Sequence, residues 1–112
     1  RVVFKLMANT YVNAKVDLTT TNVTTLYTCA ASTTAIVKSI IVSEDSGNAD
    51  TLTLTITNGS DVFSLFKTKA VSANNTLELL SAPLVVQAEE ILKVTAATAN
   101  RLHVVASILE VT

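Results

Sequence analysis

Thr51-Leu52-Thr53-Leu54-Thr55-Ile56-Thr57 alternates hydroxyl and apolar side chains without a break, and a second apolar run, Val62-Phe63-Ser64-Leu65-Phe66, follows Asn58-Gly59. Strand side chains point to opposite faces with period two, so Leu52, Leu54 and Ile56 share one face and the four threonines the other. Asn-Gly tolerates the positive φ of a tight turn, and the whole segment predicts a β-hairpin with the aliphatic face in the core. The threonines then face solvent or a neighbouring subunit.

The same period recurs along the chain. Val12, Ala14, Val16 and Leu18 oppose Asn13, Lys15 and Asp17, and Thr19 to Asn22 breaks the strand. Val23 to Cys29 reads as a second strand. Ala35 to Ser43 is apolar on both sides, with Ile36, Ile40 and Val42 opposed by Val37 and Ile41, as for a strand packed between layers or at a subunit contact. Glu44 to Asp50 is a loop, Lys67 to Asn75 a connection and Thr76 to Leu80 a short strand. Pro83 and Val85-Val86 argue against a helix over Ala82 to Val94, leaving two short strands around an Ala88-Glu89-Glu90 turn. Ile91 to Ala96 and Leu102 to Val111 complete the set, the latter alternating Leu102, Val104, Ala106 and Ile108 against His103, Val105, Ser107 and Leu109. Many strands separated by turn signals at short, regular spacing predict an all-β protein, an antiparallel β-sandwich of jelly-roll type with about eight strands.

Length adds that 112 residues fit one domain, with residues 1–10 a candidate N-terminal arm. Met7-Ala8-Asn9 resembles a translation start, which would make the first six residues an expression remnant or an upstream extension. No signal peptide is expected at Arg1 to Leu6. The longest uncharged stretch, Leu18 to Val37, is too rich in threonine for a membrane span.

Charge narrows the chemistry. A net charge of -1 with scattered lysines gives no field to attract a polyanion, and aromatic platforms are few, so no nucleic-acid partner is expected. Two glycines, Gly47 and Gly59, exclude the glycine-rich phosphate loops. Cys29 is the only cysteine, so no intrachain disulfide forms, and nothing in the sequence around it would lower its pKa. His103 is the only histidine and sits mid-strand, with no spacing that supports a triad. Glu44, Asp45 and Asp50 crowd one loop but do not match an EF-hand, and Glu89-Glu90 lacks the aromatics of a glycosidase site. Sequons at Asn22, Asn58 and Asn74 are about as many as such a composition yields by chance. No catalytic residue, cofactor or metal is expected, and the chain is not expected to be an enzyme. What remains is a stiff threonine surface, so Thr51, Thr53, Thr55 and Thr57, with Tyr11 and Val12, are the candidate interface.

Met7-Ala8-Asn9-Thr10-Tyr11-Val12, followed by the run from Thr24 to Ser43 with its Leu26-Tyr27-Thr28-Cys29 and Ile36-Val37-Lys38-Ser39-Ile40 stretches, resembles small β-sandwich virion proteins of tailed bacteriophages. The resemblance covers most of the chain after Met7 and rests on a packing pattern, so it supplies no active-site residues. The turn in such sequences often carries Pro-Ala-Gly where this chain has Ala30-Ala31-Ser32. The resemblance implies a capsid decoration (cement) protein that bridges capsomers, commonly as a homo-trimer on the major capsid protein or other virion proteins, assembled in the host cytoplasm. Neck, tail or fibre accessory roles are the alternative within that family. A carbohydrate-binding adhesin module is the alternative outside it, and it would need Tyr11 or Tyr27 exposed.

Overall fold

A computed structural model describes residues 8–112, so the expected strand or arm at Val2 to Leu6 and the start at Met7 lie outside the described residues. The described chain forms nine strands and no helix: β1 (Asn9–Asp17), β2 (Thr24–Thr28), β3 (Thr34–Glu44), β4 (Asp50–Asn58), β5 (Asp61–Val71), β6 (Thr76–Glu78), β7 (Leu84–Val86), β8 (Ile91–Ala96) and β9 (Leu102–Val111). One sheet runs β1-β9-β3-β6 with β7 also on β3, the other β2-β8-β4-β5, and every pairing is antiparallel. β6 and β7 lie end to end along one edge of β3, against Ile41–Ser43 and Ala35–Val37. Taken as one interrupted strand, they make two four-stranded sheets in jelly-roll order, as the turn spacing predicts.

Glu78 explains the interruption. Between β6 and β7 the N–H of Ile40 would face an empty edge; instead it donates to Glu78 Oε2 at 2.8 Å, and Leu80 N–H donates to the same oxygen at 3.2 Å. The Ser39 hydroxyl donates to the other oxygen. Burial works to raise the carboxyl pKa, but these donors outweigh it and the group sits below its ordinary value. Leu79 N–H completes the bridge to Ile40 O at 2.9 Å, so the strand expected to reach Leu80 ends at Glu78.

The two inner faces interlock as the alternation requires. Leu102, Val104, Ala106 and Ile108 of β9 are fully buried against Leu52, Leu54, Leu92 and Val94 of the opposite sheet, and Val12, Ala14 and Val16 close one flank half-buried. β3 departs from the expected pattern. Its register against β9 shifts between Val37 and Ser39, which makes Lys38 the extra residue of a β-bulge. One inserted residue reverses the phase, so Ala35 and Val37 point inward before the bulge and Ile40 and Val42 after it, while Ile36 and Ile41 point outward.

Three further expectations are corrected. Asn9 and Thr10 belong to β1, paired with Val111 and Glu110, rather than to an arm. The stretch from Lys67 is strand as far as Val71, because Thr53 Oγ1 accepts the Thr68 N–H at 3.1 Å across a second break in register, where Thr68 holds φ 50°. The hairpin turn places Asn58 opposite Asp61, with the positive φ of 61° at Gly59 and none at Asn58. Positive φ at the first central residue alone is the type II′ arrangement. Ser32 holds φ 62°, a conformation costly for a residue with a Cβ.

Candidate functional site

Most of the groups that could carry chemistry are drawn apart by the fold and tied to structural partners, and His103 is brought between two carboxylates. Glu44, Asp45 and Asp50 are adjacent in sequence only. Glu44 turns inward, where its carboxylate accepts N–H bonds from Ser46 at 2.7 Å, Gly47 at 3.1 Å and Asn74 at 3.0 Å, together with the Ser46 hydroxyl. Burial would raise its pKa, but those donors prevail and bring it down to about 2. Asp50 Oδ2 accepts the Thr98 N–H at 3.1 Å, and Asp45 faces His103. The three carboxylates therefore engage three separate sets of partners rather than converge on one point. Glu90 likewise closes its own turn by accepting the Gln87 N–H at 2.7 Å.

His103 lies half-exposed between two carboxylates, with Nε2 3.1 Å from Asp17 Oδ1 and Nδ1 3.6 Å from Asp45 Oδ2. Cys29 belongs to the other end of the sandwich, where its backbone pairs with Glu89 and Glu90 and its thiol donates to Thr33 O at 3.4 Å. Burial pushes the thiol pKa up, opposite to what a nucleophile needs. Beside it, Tyr27 is buried and donates its hydroxyl to Glu110, linking β2 of one sheet to β9 of the other. Burial first, then this bond and the Glu110 charge, raise the phenol pKa. Tyr27 is thereby removed from any surface role.

The surfaces are more informative than the clusters. Thr51, Thr53 and Thr55 stand half-buried on the outer face of the β2-β8-β4-β5 sheet, and Thr57 is buried with its hydroxyl donating to Ile91 O at 3.4 Å. The exposed Thr25 and Thr28 and the half-buried Thr95 continue this hydroxyl face across neighbouring strands. Tyr11 and Val12 part company: Val12 packs inward, while Tyr11 is 75% exposed on the outer face of the other sheet. There it borders a shallow depression of about 570 Å³ with Asn13, Lys38 and Ser107.

That outer face carries two registered rows with apolar centres. Tyr11, Leu109, Ile36 and Val85 align across β1, β9, β3 and β7, and Lys15, Val105, Ile41 and Glu78 align across β1, β9, β3 and β6. Val85 is 52%, Ile41 39% and Val105 38% exposed. Sequence reasoning placed none of these aliphatic residues among the candidate site residues. The signal was present as apolar residues at both parities of β3 and β9, but the bulge at Lys38 decides which ones emerge.

Fold and surface together define a jelly-roll sandwich with one hydroxyl face and one apolar face. No family model matches the sequence, and no curated protein matches it. Among solved structures, the chain is similar to a pentameric capsid protein isolated from metagenomic phage sequences, 19% identical with a TM-score of 0.47, over 88% of this chain and 58% of that one. It is also similar to a chain in the structure of the infectious bursal disease virus Gt strain, 12% identical with a TM-score of 0.48, over 93% of this chain and 30% of that one. In both cases it spans less than two thirds of the other chain's length.

Proposed function

We propose that this chain is a non-catalytic structural component of a tailed-phage virion, with decoration of the capsid preferred over a neck, tail or fibre role. The observation that carries the reading is the division of labour in the side chains. Most polar groups able to do chemistry serve backbone capping or an inter-sheet tie, His103 is held between Asp17 and Asp45, and much of the remaining surface is two broad, sparsely charged faces. The sequence resemblance from Met7 to Ser43 supports the same reading. Its physical logic is multivalency, because modest contacts repeated over a shell sum to a large stabilisation without any single tight site. The partners are then the major capsid protein or other virion proteins, and the location is the virion. The trimer belongs to the resemblance alone.

Copy number in purified virions tests it. Quantitative mass spectrometry is expected to count hundreds of copies per particle; a handful to a few dozen would place the protein in the neck or tail, and absence would remove the proposal.

A second reading has one observation in its favour. The exposed Tyr11 ring beside Asn13, Lys38 and Ser107 has the make-up of a shallow saccharide subsite on an adhesin module. That reading expects hits on a glycan array that vanish in Tyr11→Ala. An empty array or an unaltered variant counts against it.

A further inference from the structure

We propose that the outer face of the β1-β9-β3-β6/β7 sheet is a two-fold contact between two copies of this chain. Strands in a sheet lie side by side at about 4.8 Å, so a row of paired residues forms a straight line of side chains on one face. Here the order is Lys15, Val105, Ile41, Glu78 in one row and Tyr11, Leu109, Ile36, Val85 in the other. Consider an axis lying in the face, parallel to the strands and midway between β9 and β3. A half-turn about it brings a second copy face to face with each row reversed over itself. Val105 then meets the partner's Ile41, Leu109 meets the partner's Ile36, and Tyr11 meets the partner's Val85. At the row ends, Lys15 meets the partner's Glu78 and Glu78 meets the partner's Lys15.

In these two rows every contact is apolar on apolar or cation on anion. Such self-complementarity is what an isologous interface requires, whereas a ring of three or five copies joins two different patches. The charges also fit the chemistry within each chain. The Glu78 carboxyl lies below its ordinary pKa, held there by its donors, and therefore presents a negative charge. Lys15 is exposed, with its amine 2.9 Å from Asn13 Oδ1 on the same face. Two sheets stacked face to face cross at about 30°, a twist that the long lysine end can follow to reach the Glu78 carboxylate, which is fixed by its own donors. The row between, Asn13, Ser107 and Ser39, is small and polar and leaves the depression beside Lys38 as the wet centre of the contact.

Size sets the strength. Four strands at about 4.8 Å and side-chain rows about 6.7 Å apart give a face on the order of 400 Å², against roughly 800 Å² per partner in a standard interface. The pair is therefore weak and concentration-dependent, suited to a protein held at high local density. The inference does not rest on the virion reading, since it can be tested on the isolated protein.

Sedimentation equilibrium of the full chain from micromolar to millimolar concentration tests it. The average mass is expected to climb from 11.8 kDa toward twice that value. Val105→Asp and Tyr11→Glu, both at exposed positions, are each expected to raise the dissociation constant by about tenfold or more with little change in thermal midpoint. Thr25→Asp on the opposite sheet's outer face is expected to leave it unaltered. A mass that stays at one chain throughout, a plateau at three or five chains, or association indifferent to Val105→Asp and Tyr11→Glu would each overturn the proposal. So would an equal loss in Thr25→Asp.

Discussion

Leu54→Ala is expected to lower the unfolding free energy by about 3 kcal/mol, within the range of roughly 2–5 kcal/mol for emptying a closely packed leucine site. Ile56→Ala, two residues along the same stripe, is expected to cost clearly less. In sequence the two positions are equivalent, apolar members of one alternation flanked by threonines. In the fold Leu54 is fully buried at the centre of its sheet, facing the interior rows of β9. Ile56 is only half-buried, and its cross-strand neighbour Phe63 is 56% exposed, because the hairpin tip reaches past the cover of the opposite sheet. A cavity opened at Leu54 cannot be relieved by solvent, whereas at Ile56 water and the exposed Phe63 side chain take up the space. Urea unfolding of both variants reads the difference directly. Equal losses would mean that the tip is covered.

Acid is expected to weaken the protein through Glu44, the second large effect. The folded-state pKa of about 2 lies below the ordinary 4.5, so the carboxylate's contribution is fully present above pH 4.5 and is lost as pH falls through about 2. Glu78, also held below its ordinary value, acts in the same direction. Protonating Glu44 removes the acceptor that joins the loop after β3, through Ser46 and Gly47, to the loop after β5, through Asn74. Glu44→Gln keeps the shape but cannot accept all of these donors. The variant is therefore expected to be less stable at pH 7 and to show a flatter decline between pH 5 and pH 2. Parallel pH profiles for variant and parent would show that Glu44 is not the titrating clamp.

His103 and Glu44 show why sequence distance misleads about chemistry. Glu44, Asp45 and Asp50 stand close together in the chain, yet a carboxylate beside unpaired backbone N–H groups is drawn to them, since leaving buried donors without partners costs about 1–3 kcal/mol each. Glu44 is pulled inward by Ser46, Gly47 and Asn74, and Asp50 by Thr98. Asp45 is left beside His103, a pairing across more than fifty residues that local spacing cannot reveal. Tyr27 was a candidate surface aromatic by type; only the folded chain shows its hydroxyl committed to Glu110 on the opposite sheet.

The sequence by itself determined the strands. Period-two alternation fixes an element and its inward face wherever the register is regular, so β1, β4, β8 and β9 follow from local pattern alone, and the regular spacing of turns leads to the jelly-roll sandwich. Tertiary structure decided where the period breaks. The extra residue Lys38 reversed the faces of β3, Glu78 split one edge strand into β6 and β7, and Thr53 carried β5 past the break at Thr68. The last two are contacts between segments apart in sequence, each satisfying a backbone N–H that the alternation leaves unpaired. The apolar rows on the outer face, with Val105 beside Ile41 and Leu109 beside Ile36, exist only in the assembled sheet.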